Sequence, residues 1–365
     1  MSAVRKQWLT IGQRRVPLIA GPGALEQLPA ALAEVGFAGR LFVVADSTAA
    51  DLHAESLRSI STSEVVFRIS GAEADKTLDQ VGRVWDWLVE QGAQRRDAVV
   101  AFGGGVVCDL VGFAAASYLR GIGLINAPTT LLAQVDASVG GKTGINHPRG
   151  KNLIGAFYQP LAVVADTRLL GSLPRRAFAA GLAEIVKLGM VLDADLFWTL
   201  ERGASELVPE AAEPLTPLVA RAIELKAAVV ERDEREQGER MLLNYGHTVG
   251  HALEAAAGYG HLLHGEAVAV GMEAAAHIAC AMRLLDQYSA DRQRALLRAL
   301  TLPTRYADVS VDLVRSRLSQ DKKRVGQRQR WILAERVGAA QIRDDVPAQV
   351  VEDALRWVTA GTRLQ

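Results

Sequence analysis

The chain has 365 residues, 49% hydrophobic and 22% charged, with 41 basic residues balancing 41 acidic ones. That length and composition describe a globular protein with room for two cores, and zero net charge removes bulk attraction to nucleic acid or an anionic membrane surface. Cys108 and Cys280 suggest no disulfide framework, and the N-terminus lacks a signal-peptide core, so a reducing, cytoplasmic setting is expected.

In chain order, Leu41-Phe-Val-Val-Ala45 is a continuous apolar run ending at Asp46, as a buried parallel strand would be. Thr77 to Gln91 has helical spacing, with Leu78, Val81, Val84, Trp85 and Leu88 on one face. Asp97 to Phe102 is a second strand and runs into Gly103-Gly104-Gly105. Leu124-Ile-Asn-Ala and Leu161-Ala-Val-Val-Ala165 are further strands. The longest apolar stretch, Ala98 to Leu119, carries Asp109 and the glycine triplet, so it reads as strand, turn and helix rather than a membrane span. After Ser172 long Ala/Leu/Glu-rich helical patterns take over, with breaks around Pro209 to Pro217, at Gly258-Tyr-Gly260 and at Leu302-Pro303. One strand pair is expected at Arg330 to Ala334 and Gly338 to Arg343. The expected architecture is α/β plus all-α: a Rossmann-like domain with a mostly parallel sheet over 1–172, then a mainly helical, metal-binding domain over 173–365.

Several segments carry chemistry. Gly103 to Asp109 follows a strand and opens a helix, where backbone amides and the helix dipole favour a pyrophosphate, although the spacing is not GxGxxG. Asp46 stands at a strand end where a ribose hydroxyl can be bound. Gly140-Gly141-Lys142-Thr143 is not a Walker A loop, because Asp136 occupies the required glycine position. With His147-Pro-Arg-Gly-Lys151-Asn152 it reads as a loop of donors for phosphate or carboxylate. Glu184 and Lys187 lie one turn apart on an apolar helix, where buried charges need partners.

The densest chemistry is Arg240-Met-Leu-Leu-Asn244-Tyr-Gly-His247-Thr-Val-Gly-His251, followed by His264-Gly-Glu266. Histidines four apart on a helix point the same way, and Arg240 and Asn244 are expected on the same helical stretch. Glu184 plus two of the three histidines makes a catalytic zinc set, and spacing leaves open which histidine is left over. Asp321 to Arg330 is a basic run, read as a solvated loop or as a clamp for phosphate.

Together these segments resemble the 3-dehydroquinate synthase family of sugar-phosphate cyclases. The likeness rests on Gly103 to Asp109, Pro128 to Lys142, His147 to Pro160, Gly181 to Lys187, Asn244 to His251 and Leu263 to Val268. It implies a carbon–oxygen lyase of the shikimate pathway of aromatic amino-acid biosynthesis, dependent on NAD and on Zn2+ or Co2+, and homodimeric. The implied reaction converts 3-deoxy-D-arabino-heptulosonate 7-phosphate to 3-dehydroquinate and phosphate, through transient oxidation, phosphate elimination, re-reduction, ring opening and aldol closure.

The resemblance also assigns residues. Glu184, His247 and His264 match metal ligands, which leaves His251 near the substrate phosphate. Lys142, Asn152, Asn244 and Lys322 or Lys323 match phosphate-site positions, with Arg120 entering from a neighbouring subunit. Lys226 and Arg240 match the groups that hold the substrate carboxylate, and Lys187 lies near the reacting hydroxyls. Asp46, Glu73, Lys76, Gly104, Gly105, Val106, Asp109, Thr129, Thr130, Asp136, Lys142, Lys151 and the turn Leu169, Leu170, Gly171, Ser172 match cofactor positions. An amino-dehydroquinate synthase shares this machinery. A polyol dehydrogenase shares the glycine turn and the histidines but has no need of so many anion donors.

Overall fold

The computed structural model describes residues 3–60, 65–258, 260–325 and 329–361, with the side chains of 212, 213 and 319–325 outside the description. The chain divides into two units, Met1–Pro174 with Pro209–Arg235, and Arg175–Val208 with Glu236–Gln365.

In the first unit the apolar runs become strands because both of their faces are covered. The unit contains β1 (Arg5–Ile11), β2 (Arg14–Gly21), α1 (Leu28–Glu34), β3 (Leu41–Asp46), α2 (Ser47–Leu52), α3 (Ala54–Ile60) and β4 (Val66–Ile69). There follow α4 (Leu78–Glu90), β5 (Ala98–Gly103), α5 (Gly105–Ser117), β6 (Gly123–Pro128), β7 (Lys142–His147), β8 (Gly150–Phe157) and β9 (Ala162–Asp166). Seven strands form one sheet in the order β1-β2-β9-β6-β5-β3-β4, parallel except for the β1–β2 hairpin. Alternation along β5 sends Ala98, Val100 and Phe102 into a core with α1 and α3. Val99 and Ala101 enter a second core with α4 and α5. The strand order reverses between β3 and β5, so Asp46 and Gly103 end the two strands flanking the switch point, where open α/β sheets bind ligands.

The structure departs from the sequence reading in several places. β1 is largely polar and β4 short, and Pro17 interrupts the apolar run of β2, so none of the three reads as a plain buried strand. Residues 142–157 are not a loop but the antiparallel β7–β8 hairpin, with Thr143 paired to Ala156 and Ile145 to Ile154. On α4, Thr77 caps the first turn by accepting from Gln80 N–H at 3.2 Å. The helix buries Val81, Val84, Trp87 and Leu88, while Leu78 is exposed.

The domain division at 172/173 differs in one segment. α8 (Ala212–Arg232) belongs to the first unit, and its Glu231 Oε1 accepts from Thr10 N–H on β1 at 2.5 Å. Pro217 lies inside this helix rather than breaking it.

The second unit contains α6 (Arg175–Val191), α7 (Ala194–Gly203), α9 (His247–Ala257), α10 (His264–Ala281), α11 (Gln287–Ala299), α12 (Val311–Val325) and α13 (Ala348–Thr359). The expected strand pair is present as β10 (Trp331–Arg336) and β11 (Ala339–Arg343). α6, α9 and α10 are apolar on most sides, as helices at the centre of a bundle are. Arg240 and Asn244 are not on the histidine helix. They occupy a separate 3-10 segment, Glu239–Asn244, and Gly246 turns the chain at φ +79° before α9 begins. The basic run is helical rather than looped through Val325, where α12 ends, and the side chains of Lys322 and Lys323 lie outside the described residues. Among the described residues, no helix is long and apolar enough to cross a membrane.

Candidate functional site

In the first unit the polar groups gather beyond the ends of β3 and β5. α5 starts directly from the glycine turn, with Gly104 as its N-cap, and its first intrahelical bond runs from Cys108 N–H to Gly104 O at 3.1 Å. The amides of Gly105, Val106 and Val107 precede that bond and sit at the positive end of a 13-residue helix dipole. Asp46 Oδ1 caps α2, accepting from Ala49 N–H at 2.9 Å. Thr129 is buried, and Thr130 Oγ1 accepts from Ala133 N–H at 3.2 Å, starting the π-helical turn Ala133–Ala137 that carries Asp136.

The β7–β8 hairpin adds a polar network. Lys76 Nζ donates to Asp109 Oδ2 at 2.6 Å and to Asn152 Oδ1. Asn152, at φ +53°, donates its N–H to Asn146 Oδ1 at 2.9 Å, and Asn146 Nδ2 donates to Glu73 Oε1 at 2.7 Å. Lys151 Nζ stands 4.0 Å from the same Glu73 oxygen. Burial raises the Asp109 carboxyl above its ordinary range, against the neighbouring Lys76 ammonium. Asn146 is the hub that sequence reasoning missed. Its only sequence signal is its place just before His147-Pro148.

The structure brings Asn152, expected at a phosphate position, into the cluster with cofactor-position residues. Lys142 is exposed at the start of β7. Leu169 and Leu170 are buried, so that turn offers a ligand its backbone and Ser172, whose hydroxyl lies 2.8 Å from His53 Nε2. Arg120 is exposed on a turn where Leu119 and Arg120 have φ of +50° and +66°, left-handed values costly for side chains of this kind.

In the second unit Glu184 and Lys187 are buried on α6 and paired with each other. A Cβ at Gly265 would fall 1.8 Å from Ala180 O, so only glycine lets α10 lie this close to α6. That approach sets His264, the first residue of α10, beside Glu184. Glu184 Oε1 is 3.4 Å from His264 Nε2 and 3.7 Å from His247 Nε2. His251 completes the group, the ring nitrogens of the three histidines lying within 4.8 Å of one another. Glu184 and His247 are buried whereas His251 is exposed.

Ligands of a tetrahedral zinc with bonds of about 2.05 Å stand about 3.3 Å apart; the two distances from Glu184 Oε1 are near that value, and the three histidines are by themselves a group that could hold a metal ion. Burial drives the His247 imidazole well below its ordinary pKa, against the Glu184 charge, which keeps it neutral and able to ligate. Burial also lowers His264, but hydrogen bonds and charge from Glu184 and Glu254 outweigh it and hold the group up at about 10. Arg240 is buried, and Asn244 Nδ2 donates to Glu236 Oε1 at 2.7 Å. Glu236 (φ +59°) and Glu254 are further members of this region that no sequence motif marks.

Two family models match the chain, "3-dehydroquinate synthase N-terminal" over residues 66–180 and "3-dehydroquinate synthase C-terminal" over 181–324. A 3-dehydroquinate synthase of Halorhodospira halophila is 46% identical over 352 residues, which are 96% of this chain and 99% of the relative. The chain belongs to the 3-dehydroquinate synthase family. Among solved structures, 2-epi-5-epi-valiolone synthase from Streptomyces hygroscopicus with NAD+ and Zn2+ bound has a TM-score of 0.86 at 30% identity. It covers 96% of this chain and 98% of its own. A 2-deoxy-scyllo-inosose synthase complexed with carbaglucose-6-phosphate, NAD+ and Co2+ has a TM-score of 0.83 at 30% identity, over 97% of this chain and all of that one (100%).

Proposed function

We propose that this chain is a 3-dehydroquinate synthase, a phosphate-eliminating lyase that converts 3-deoxy-D-arabino-heptulosonate 7-phosphate to 3-dehydroquinate and phosphate. The observation that carries the site assignment is the single oxygen, Glu184 Oε1, approached by the Nε2 atoms of both His247 and His264. These three residues would hold Zn2+ or Co2+, with His251 left over on the exposed side. When bound, the metal would supply Lewis-acid polarisation of substrate oxygens, and the dinucleotide would supply reversible hydride acceptance.

The chain's own groups bind and orient. The α5 amides, Asp46, Glu73, Lys76, Asp109, Thr129, Thr130, Asp136 and Lys151 form the dinucleotide site. Its pyrophosphate would sit against Gly104, Gly105 and Val106, where unsatisfied N–H groups meet the helix dipole. In the first unit Lys142 and Asn152 are donors suited to a phosphate; in the second Asn244 and His251 are, and Lys322 or Lys323 takes the same part in this reading. Held by such donors, a phosphate oxygen is placed to accept a proton from the neighbouring carbon. Lys226 in the first unit and Arg240 in the second are each suited to a carboxylate, with Arg240 capable of a bidentate grip. Lys187, held against Glu184, faces the reacting hydroxyls as a buried cation.

We also infer a homodimer. β8 exposes Leu153, Ile154 and Phe157, and Leu119 is exposed beside Arg120, apolar side chains that would suit cover by a second copy whose site receives that arginine. The free thiols of Cys108 and Cys280 suit a reducing, cytoplasmic setting.

The test is to supply the heptulosonate phosphate with catalytic NAD+ and metal, then follow phosphate release and NADH together. Stoichiometric phosphate with no net NADH is expected. Accumulating NADH without phosphate would make the chain a dehydrogenase, and turnover only with another sugar phosphate would move it to a different cyclase.

A further inference from the structure

His247, His251 and Glu254 stand at i, i+4 and i+7 on α9, one stripe of the helix. Glu254 is buried, in a stretch that is otherwise alanine and leucine. A carboxylate there is costly unless another group answers it. Its Oε2 lies 3.3 Å from His264 Nδ1, while Nε2 of the same ring lies 3.4 Å from Glu184 Oε1. One imidazole therefore spans two buried carboxylates, one on each nitrogen.

A neutral imidazole carries one proton, and the partner of one nitrogen decides which nitrogen keeps it. Glu254 is an acceptor, so when the ring gives up one proton to a metal it retains the other on Nδ1 and frees Nε2, the nitrogen facing Glu184, to ligate. His247 is oriented the same way by different means, with its Nδ1 3.2 Å from the backbone carbonyl of Tyr245. Both rings thus present Nε2 to one oxygen, but only His264 is held by an ionisable side chain, which a substitution can remove.

We propose that Glu254 is a positioning residue that fixes the tautomer and orientation of His264 and so strengthens metal binding at Glu184, His247 and His264. This inference rests on the metal-site reading above. Outer carboxylates on ligating histidines typically contribute about 10–100-fold in metal affinity.

Metal-free wild type, Glu254→Gln and Glu254→Ala are titrated with Co2+, following the visible absorption of the bound ion. Melting of each metal-free protein is recorded alongside. Glu254→Ala is expected to weaken Co2+ binding about 10–100-fold. Glu254→Gln, whose amide oxygen still accepts from Nδ1, is expected to fall between it and wild type. Metal-free melting should stay close to wild type for the Gln variant.

Equal Co2+ affinity in all three proteins would overturn the assignment. So would a Gln variant whose metal-free fold is lost, because Glu254 would then be a structural residue. If wild type itself takes up no Co2+, the metal-site reading fails and this inference with it. Binding by wild type that is unchanged in both variants sinks the role of Glu254 alone.

Discussion

Lys226 Nζ lies 2.5 Å from Asp136 Oδ1 and 2.6 Å from the Asp136 carbonyl oxygen, across 90 residues of sequence. This bond is one tie of α8 to the first unit, beside its packing on β1 and β2, although helices of the second unit precede and follow it in the chain. It also places a residue expected to hold substrate carboxylate directly on the turn that follows Thr129 and Thr130. Removing the ammonium leaves a carboxylate without this partner. The Asp136 side chain is 27% exposed, so water screens part of the loss. Lys226→Met is expected to cost about 1–3 kcal/mol, below the range for breaking a fully buried pair. Adding Asp136→Asn should recover part of that in a double-mutant cycle read by denaturant melts. Additive losses would show that the two groups do not support each other.

The ligand set is separable from its alternative, the three histidines without Glu184, by metal content. After dialysis, Glu184→Ala, His247→Ala and His264→Ala should each retain far less zinc than wild type by atomic emission. His251→Ala should keep its zinc while losing turnover. A zinc-loaded Glu184→Ala together with a zinc-free His251→Ala would replace the carboxylate with the third histidine. Chelation of wild type should abolish phosphate release, and Zn2+ or Co2+ should restore it.

The parts of this fold legible in the sequence were those where one physical cause dominates. β3, β5, β6 and β9 are buried on both faces, so they are continuous apolar runs whatever their neighbours are. The histidine spacing on α9 and the glycine turn before α5 were equally plain, because helix geometry and a strand–helix turn impose them locally. The β7–β8 hairpin was not legible. β8 is largely exposed, and its Lys-Asn-Leu-Ile-Gly-Ala-Phe lacks the alternation that a one-sided strand shows. Asn146 and Glu254 escaped for a different reason. Asn146 matters through Glu73, 73 residues away, and Glu254 through His264 on the next helix, and a lone Asn or Glu carries no signal of such a partner. The place of α8 depends on tertiary packing alone.

Lys151 offers a test of the cofactor assignment that avoids the fold. Its ion pair with Glu73 is 4.0 Å long and both side chains are substantially solvated, so the pair contributes about 0–1 kcal/mol. Lys151→Ala should therefore melt within a few degrees of wild type. If the ammonium binds the dinucleotide, KM for NAD+ should rise about tenfold, corresponding to about 1.4 kcal/mol of lost binding. An unchanged KM would remove Lys151 from the site, and a collapsed melt would make it structural.

Asp97, beside β5, supplies the clearest pH dependence of stability. Its carboxylate is buried, which alone would raise its pKa. It accepts from Arg40 N–H at 2.9 Å and Gln94 N–H at 2.8 Å, and Arg40 Nη2 lies 2.9 Å away. These donors outweigh burial and hold the group below the ordinary aspartate range. A depressed folded-state pKa means the unfolded chain takes up the proton first as pH falls. The stabilisation is therefore fully present above the unfolded value of about 3.9 and lost as pH drops through the folded one. Asp97→Asn turns one acceptor into a donor facing donors, so it should destabilise the protein by about 1–3 kcal/mol at pH 7. Melting wild type and Asp97→Asn from pH 7 down to pH 3 should show their difference shrinking below about pH 4, as wild type loses the carboxylate. A gap that stayed constant over that range would mean that the charge on Asp97 adds nothing beyond its shape.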